Sequence, residues 1–287
     1  MRHAGPLAVV VFLVMAGCGR DQPKAAPAVT SQPATSSSTT SIAPTTATTS
    51  TTAPTTTTAP VVTTPLPELS GTVVVLDPGH NEANGRHPSE INQQVDIGNG
   101  TKACDTTGTA TDGGYTEAEF TTDVASRVAG LLRDAGITVV FTRDTSTPWG
   151  PCISRRAAIG NEAHADAAIS IHADGGPADG RGFHVIRPLV VAGYNDNIIE
   201  PSRQLALAVR DTFSAATGLP FSNYLGSDGV DARDDLGGLN LSTVPKVFIE
   251  TGNLRNATDA ALLQDPSFRQ QIAAGIADGL IRFVRAT

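Results

Sequence analysis

The chain from residue 68 to residue 287 alternates between short apolar runs and longer segments with helical periodicity, and this pattern most limits its possible folds. Strand-like runs lie at Thr72–Leu76, Ile137–Phe141, Ala167–Ile171, Gly182–Ile186 and Lys246–Ile249. Helical patterns cover about residues 117–135, 152–164, 201–216 and 266–284. Such alternation predicts one α/β domain with a largely parallel, twisted sheet and helices on both faces.

A segment without any charged residue, between Lys24 and Glu68, separates this domain from the N-terminus. It consists almost wholly of Thr, Ser, Pro and Ala. Such a composition offers too little apolar surface to offset the entropy lost on ordering. We therefore expect residues 18–67 to form a disordered tether and residues 68–287 to form the folded domain.

The N-terminus has the three-part pattern of a secretory signal. Arg2 precedes a run of 13 uncharged residues, Ala4–Ala16, which is too short to span a bilayer as a stable helix. Small residues before Cys18 resemble a bacterial lipobox, in which the cysteine is lipidated after cleavage. We expect residues 1–17 to be a lipoprotein signal peptide, and Cys18 to anchor an exported protein at the outer face of the cytoplasmic membrane or in the cell wall. An ordinary signal with an incidental cysteine is the alternative.

Charge and cysteine content narrow the function classes. Lys and Arg number 20 against 28 Asp and Glu, a net charge of −8, which argues against a nucleic-acid-binding protein because phosphate binding needs clustered basic charge. If Cys18 is lipidated, the other two cysteines, Cys104 and Cys152, remain as one pair in an oxidising setting. We expect them to form a disulfide, and two free thiols are the alternative.

Polar residues follow three of the predicted strands at the point where each strand ends. His80 closes the segment DPGH, His172 lies in SIHAD, and Glu250 lies in FIETGN. Ligands of open α/β sheets bind at the carboxyl ends of the strands. Two imidazoles and a carboxylate at that edge suit a metal site with an acid–base group beside it. Hydrogen-bonded polar residues at strand ends are the alternative, since no local ligand motif links the two histidines.

These blocks, taken in their order, resemble the zinc-dependent N-acetylmuramoyl-L-alanine amidases of the Amidase_3 family. The matching segments are VVVLDPGH, a Glu that opens a helix, ADAAISIHAD and LGGLNLSTVPKVFIETGN. The resemblance covers nearly all of residues 71–285 and extends to the compact mycobacterial members, which share the paired cysteines and a GFHV strand. It implies a peptidoglycan hydrolase that uses one Zn²⁺ per chain to cleave the amide bond between N-acetylmuramic acid and L-alanine. We expect a monomer.

The resemblance also implies four site residues: the zinc ligands His80, Glu117 and His172, and the catalytic carboxylate Glu250. Glu119 lies close to the proposed ligand Glu117 in the sequence. Thr116 and Glu119 have the Thr-x-x-Glu spacing of a capping box, which gives Glu119 a structural task and leaves Glu117 for the metal. The alternative for Glu117 is a first-turn carboxylate stabilised by the helix dipole.

Four further residues are candidates for the surroundings of the site. We expect Asp77 and Asn253 to orient ligands or catalytic groups. His184 either contacts substrate or is a packed polar residue, and Arg233 pairs either with a substrate carboxylate or with a structural acid. The insertion at residues 84–113 is expected to shape the rim of the cleft, held by the disulfide.

Two other functions stay open. One is a non-catalytic wall-binding or regulatory protein on the same fold. Such relatives usually lose metal ligands or the catalytic Glu, whereas all four residues are present in this chain. The other is a zinc hydrolase that cuts a different bond of the same polymer, such as a stem-peptide carboxypeptidase.

Overall fold

A computed structural model of the chain describes residues 69–287. The predicted signal peptide at residues 1–17, the lipidation site at Cys18 and the predicted tether at residues 18–67 all lie outside the described residues, so this division of the chain stays a prediction. No helix within residues 69–287 is long and apolar enough to cross a membrane.

The described residues form eight strands and seven α-helices. The strands are β1 (Val73–Pro78), β2 (Gln94–Asp96), β3 (Thr101–Ala103), β4 (Thr138–Phe141), β5 (Ala167–Asp174), β6 (His184–Pro188), β7 (Val230–Arg233) and β8 (Lys246–Asn253). The helices are α1 (Pro88–Ile91), α2 (Glu117–Asp134), α3 (Ile153–Glu162), α4 (Ile199–Thr217), α5 (Gly237–Asn240), α6 (Ala257–Gln264) and α7 (Pro266–Val284). All five predicted strands and all four predicted helices are present.

Six strands form the central sheet in the order β4-β1-β5-β8-β6-β7. The first four of these strands run parallel to one another. β6 runs antiparallel to β8, and β7 runs parallel to β6 at the edge. The sheet is therefore largely parallel, as predicted, with two reversed strands on one side.

Helices cover both faces of the sheet because successive strand residues alternate between the faces. Val74 and Leu76 of β1 belong to the large core that α2, α4 and α7 cover. Val75, between them, packs in a smaller cluster with Ala168 of β5 and with Ala163 at the end of α3. This arrangement confirms the predicted fold class.

Two glycines of α7 allow this helix to lie directly against α4. A Cβ added to Gly275 would lie 2.8 Å from the Phe213 Cα atom, and one added to Gly279 would lie 2.6 Å from the Val209 Cα atom. Both obstacles are backbone atoms, which cannot move aside as a flexible side chain does. The close contact of α4 and α7 therefore depends on glycine, which has no Cβ atom, at these two positions.

We predict that Gly279→Ala lowers the free energy of unfolding by about 1–3 kcal/mol, because the added methyl overpacks the α4–α7 contact. The matched control is Gly130→Ala on the exposed side of α2, where an added Cβ meets nothing within 4 Å. That variant should gain roughly 0.5–1 kcal/mol from helix propensity. Urea unfolding of both variants checks the prediction, and equal stabilities would contradict it.

Candidate metal centre

Neighbouring strands bring the predicted polar residues together. His80 lies two residues after the end of β1, His172 lies in β5 and Glu250 lies in β8. Glu250 is directly opposite His172 on one side and opposite His184 of β6 on the other. Directly opposite residues of paired strands point to the same face of a sheet. The register therefore places His172, Glu250 and His184 in one row.

Glu117 reaches the same place from the first turn of α2. Thr116 is the N-cap of this helix, and its Oγ1 accepts a hydrogen bond from the Glu119 amide at 3.2 Å. Glu119 is exposed, whereas Glu117 is 4% exposed. The Glu117 amide donates to the Thr109 carbonyl at 2.9 Å, which joins the helix to the preceding loop. Of the two carboxylates, Glu117 is the one that lies at the site.

His80, Glu117 and His172 form a group that can hold a metal ion, since their ligand atoms all lie within 4.8 Å of one another. Glu117 Oε2 is 3.1 Å from His80 Nε2, and Glu117 Oε1 is 2.9 Å from His172 Nδ1. Tetrahedral zinc, with bonds of about 2.0–2.2 Å, holds its ligand atoms roughly 3.3 Å apart. The donor types and their spacing therefore fit zinc, and three protein ligands leave one position open, as in catalytic sites.

Neighbouring groups orient these ligands. His80 Nδ1 is 3.1 Å from the Thr106 carbonyl oxygen, so a proton on Nδ1 is donated there and Nε2 stays free for a metal. The Glu117 carboxylate accepts hydrogen bonds from the amides of Thr109, at 3.0 Å, and Ala173, at 3.2 Å. Backbone groups of the loop before α2 and of β5 therefore hold the Glu117 carboxylate in place.

His80 has a left-handed backbone conformation, with φ at 58°. This conformation is uncommon outside glycine and persists only where the surroundings hold it. Arg156 Nη2 donates to the His80 carbonyl at 2.9 Å, and the Gly79 amide donates to the Ile171 carbonyl at 2.9 Å. A Cβ at Gly79 would lie 2.3 Å from the His172 ring. The turn after β1 therefore lies close enough to β5 to bring the imidazoles of His80 and His172 together.

A buried ionic network lies beneath this turn. Asp77 accepts hydrogen bonds from Arg156 Nη1 at 2.8 Å, from Thr142 Oγ1 at 2.6 Å and from Lys246 Nζ at 3.1 Å. Burial by itself raises the pKa of Asp77, but the charges of Lys246 and Arg156 together hold this pKa well below its usual range. Asp77 makes no hydrogen bond to the side chains of His80, Glu117 or His172. It orients Arg156, which in turn holds the His80 backbone.

The predicted insertion forms part of the cleft rim. Its Cys104 is joined to Cys152 in a disulfide, which confirms the predicted pairing and ties the insertion to the start of α3. Thr106 to Thr109 line a cleft of about 320 Å³ that also contains Glu117, His172 and Glu250. The disulfide at Cys104 therefore lies close in sequence to the loop, Thr106 to Thr109, that lines the cleft.

Glu250 lines this cleft with one of its oxygens enclosed. The residue is partly exposed, yet its Oε2 atom is buried and has no hydrogen-bond partner within residues 69–287. Burial and the negative charges of Glu117 and Asp174 raise the pKa of Glu250 well above its usual value, and Arg233 offsets part of this effect. A carboxyl group with a raised pKa is suited to accept and release a proton near neutral pH.

The other sequence candidates lie around this group. Arg233 donates to both oxygens of Asp235, at 2.7 and 2.8 Å, so the predicted ion pair with a structural acid is present. Arg233 also lines the cleft. His184 is 0% exposed, as the packed polar alternative requires. Asn253 donates to the carbonyls of Pro177 and Gly180 and so holds a loop, without a hydrogen bond to a metal-ligating side chain.

We predict that Asp77→Asn lowers the free energy of unfolding by about 3–5 kcal/mol, because Lys246 would stay buried without a countercharge and Arg156 would keep only Asp105. The control is Asp235→Asn. Asp235 pairs with Arg233, but its side chain is 45% exposed, so this substitution should lower the free energy of unfolding by about 1 kcal/mol or less. Chemical denaturation of both variants measures the difference. A cost for Asp77→Asn no larger than that of the control would contradict the buried network.

Comparison with known proteins identifies the family. The Amidase_3 model, described as N-acetylmuramoyl-L-alanine amidase, matches residues 74–282. An N-acetylmuramoyl-L-alanine amidase of Mycobacterium tuberculosis is 40% identical over 222 residues, which is 75% of this chain and 88% of that protein. The crystal structure of the N-acetylmuramyl-L-alanine amidase of Mycobacterium smegmatis matches with a TM-score of 0.72 at 40% identity, and covers 77% of this chain and 100% of that chain.

A second solved structure agrees with these matches. The apo form of the N-acetylmuramyl-L-alanine amidase of Mycobacterium abscessus has a TM-score of 0.70 at 44% identity, and covers 75% of this chain and 99% of that chain. The resemblance drawn from the ordered motifs is therefore confirmed. The chain belongs to the Amidase_3 family of N-acetylmuramoyl-L-alanine amidases.

Proposed function

We propose that this chain hydrolyses the amide bond between N-acetylmuramic acid and L-alanine of peptidoglycan, with zinc held by His80, Glu117 and His172 and with Glu250 as the catalytic carboxylate. Family membership supports the reaction. The observation that carries the assignment of roles is the convergence of the three ligand atoms within 4.8 Å, beside a partly exposed carboxylate in the same cleft.

Zinc held by His80, Glu117 and His172 would supply electrophilic chemistry, since it would polarise a carbonyl oxygen and make water a stronger acid. The residues of the chain prepare this role, because the hydrogen bond from His80 to Thr106 keeps one imidazole nitrogen available. Glu117 would be the charged ligand, and the amides of Thr109 and Ala173 hold its carboxylate in place.

Glu250 moves the proton in this proposal. Its carboxylate takes a proton from the attacking water as the lactyl carbonyl carbon is attacked, and then delivers it to the departing amine of L-alanine. The raised pKa of Glu250, caused first by burial and then by Glu117 and Asp174, suits a group that must both accept and give up a proton. The products are a lactyl carboxylate on the glycan and a free stem peptide.

The cleft also offers a site for the stem peptide. Arg233 borders the cleft and is itself paired with Asp235. Arg233 is the group available to meet a carboxylate of the peptide. We extend the proposal to an exported monomer that acts on the cell wall from a lipid anchor at Cys18, which lies outside the described residues.

We predict that the zinc-loaded full chain releases intact stem peptide from muropeptides, and that Glu250→Gln lowers this rate by about 10²–10⁴-fold because it removes the proton acceptor. Mass spectrometry of the products identifies the cleaved bond. A chelator should abolish release, and added zinc should restore it.

The same experiment separates the alternatives. Release of a terminal residue of the stem peptide, with the muramoyl amide intact, would show a carboxypeptidase. Binding of muropeptides without cleavage by the zinc-loaded chain would favour the wall-binding alternative and contradict the proposal.

We also predict that Glu117→Gln weakens zinc binding by at least about 10-fold, since it removes the charged ligand of the group. Glu119→Gln is the matched control, because Glu119 lies two residues away and is exposed. Competition with a chromophoric chelator measures both affinities. Equal weakening by the two substitutions would contradict Glu117 as a ligand.

A further inference from the structure

A group of buried polar atoms lies around Glu250, and two residues of this group, His184 and Tyr224, have no part in the chemistry derived so far. Seven buried side-chain nitrogen or oxygen atoms within residues 69–287 lack a hydrogen-bond partner, and four of them belong to His184, Tyr224 and Glu250. These four atoms are both ring nitrogens of His184, the Tyr224 hydroxyl oxygen and Glu250 Oε2. Buried polar groups are nearly always hydrogen-bonded, so this concentration needs a physical explanation.

The three residues are neighbours. His184 is directly opposite Glu250 on the paired strand, which places the two Cβ atoms roughly 4.5–5.5 Å apart on one face of the sheet. The Tyr224 ring lies edge-on to the His184 ring, with the ring centroids 6.2 Å apart and the planes at 88°. His184, which is fully buried, therefore lies between the partly buried Tyr224 and Glu250 in the cleft.

The Tyr224 ring is held in place by a loop that Asn253 secures. A Cβ at Gly176 or at Gly180 would lie 2.7 Å from an atom of this ring, so both glycines border it closely. Asn253 Nδ2 donates to the carbonyls of Pro177, at 2.7 Å, and Gly180, at 2.8 Å. The position of the ring is thus determined by the end of β8, three residues after Glu250.

Ordered water is the ligand that suits this group. A buried water makes about three hydrogen bonds to otherwise unpartnered polar groups. The neutral imidazole of His184 has one donor and one acceptor nitrogen, the Tyr224 hydroxyl both donates and accepts, and the ionised Glu250 carboxylate accepts. Burial lowers the pKa of His184, even though Asp174 and Asp231 oppose this effect, so the ring is held in its neutral form. The Asp174 carboxylate lies close to the Tyr224 hydroxyl and to the His184 ring. Water shared by these side chains would supply the partners that the His184 nitrogens and Glu250 Oε2 lack.

We propose that His184 and Tyr224 are positioning residues that hold Glu250 Oε2 through shared buried water and so leave the other carboxylate oxygen for proton transfer in the cleft. The inference rests on the proposed function, because it assumes that Glu250 is the catalytic carboxylate. It also explains why a histidine that no substrate can reach lies directly opposite Glu250.

The test compares His184→Leu, His184→Gln and Tyr224→Phe in the zinc-loaded full chain, with kcat and KM measured on a muramoyl peptide. His184→Leu should lower kcat by about 10-fold, a fraction of the roughly 10²–10⁴-fold that acid–base catalysis supplies, with KM and zinc affinity unchanged. His184→Gln should recover most of the loss because it restores a donor and an acceptor. Tyr224→Phe should lower kcat, and the exposed control Tyr194→Phe should not.

Thermal unfolding checks that the variants remain folded. His184→Leu leaves the shared water with one partner fewer and should lower the melting temperature, so kcat is compared well below the unfolding transition. Recovery of kcat in His184→Gln then distinguishes positioning from a merely structural role. Unchanged kcat in both His184→Leu and Tyr224→Phe would overturn the proposal. Equal losses for His184→Leu and His184→Gln would also overturn it, since they would show that only the ring shape matters.

A crystal structure of the zinc-loaded full chain provides a readout that does not depend on activity. The proposal expects ordered water within hydrogen-bond distance of Glu250 Oε2 and a ring nitrogen of His184, and a dry space there would overturn it. If the zinc-loaded wild type is inactive, or Glu250→Gln is fully active, the proposed function fails, and the crystal structure still decides whether the water is present.

Discussion

The pairing register of β5, β8 and β6 is the constraint on which the site depends. It places His172, Glu250 and His184 opposite one another on three adjacent strands. Because side chains alternate along a strand, a slip of β8 by one residue would turn Glu250 toward the large core and Ile249 toward the cleft. The apolar residues on the opposite face, which pack against α2, α4 and α7, prevent that slip. The same burial that stabilises the fold therefore sets the order of the polar groups.

The second requirement is a turn after β1 that carries His80 to the metal group. His80 has a left-handed backbone conformation, which is uncommon outside glycine, and this turn is held by Arg156, which Asp77 orients in turn. Arg156 also donates to Asp105, in the insertion that the disulfide ties to α3. Several separate segments thus meet at one guanidinium group. The rigidity of His80 comes from this buried charge network, whereas His172 takes its position from the sheet.

Much of the fold was predictable because long helices and buried strands differ in the spacing of their apolar residues and in their lengths. β7 was not predicted, since the sequence VDAR contains no apolar run and becomes a strand only by pairing with β6 at the sheet edge. β2 and β3 lie in the insertion, which has no clear period. The reversed direction of β6 depends on the path of the chain, which strand patterns alone do not determine.

The candidate site was predictable in its main residues because ordered motifs carry the family resemblance, and the geometry adds their partners. Asp77 contacts Arg156 and Lys246, which lie 79 and 169 residues away in the sequence, so no local pattern indicates these contacts. The proximity of Tyr224 to His184 has the same origin. Such contacts follow from the fold and become visible only when strand order and register are known.

The most direct test of the central claim is to locate the metal. Crystals of the full chain with zinc, measured on both sides of the zinc absorption edge, give an anomalous difference map. We predict a strong peak bonded at about 2.0–2.2 Å to His80, Glu117 and His172, within the cleft that Glu250 lines. A peak bound elsewhere, or no peak among these three side chains in zinc-loaded active protein, would contradict it.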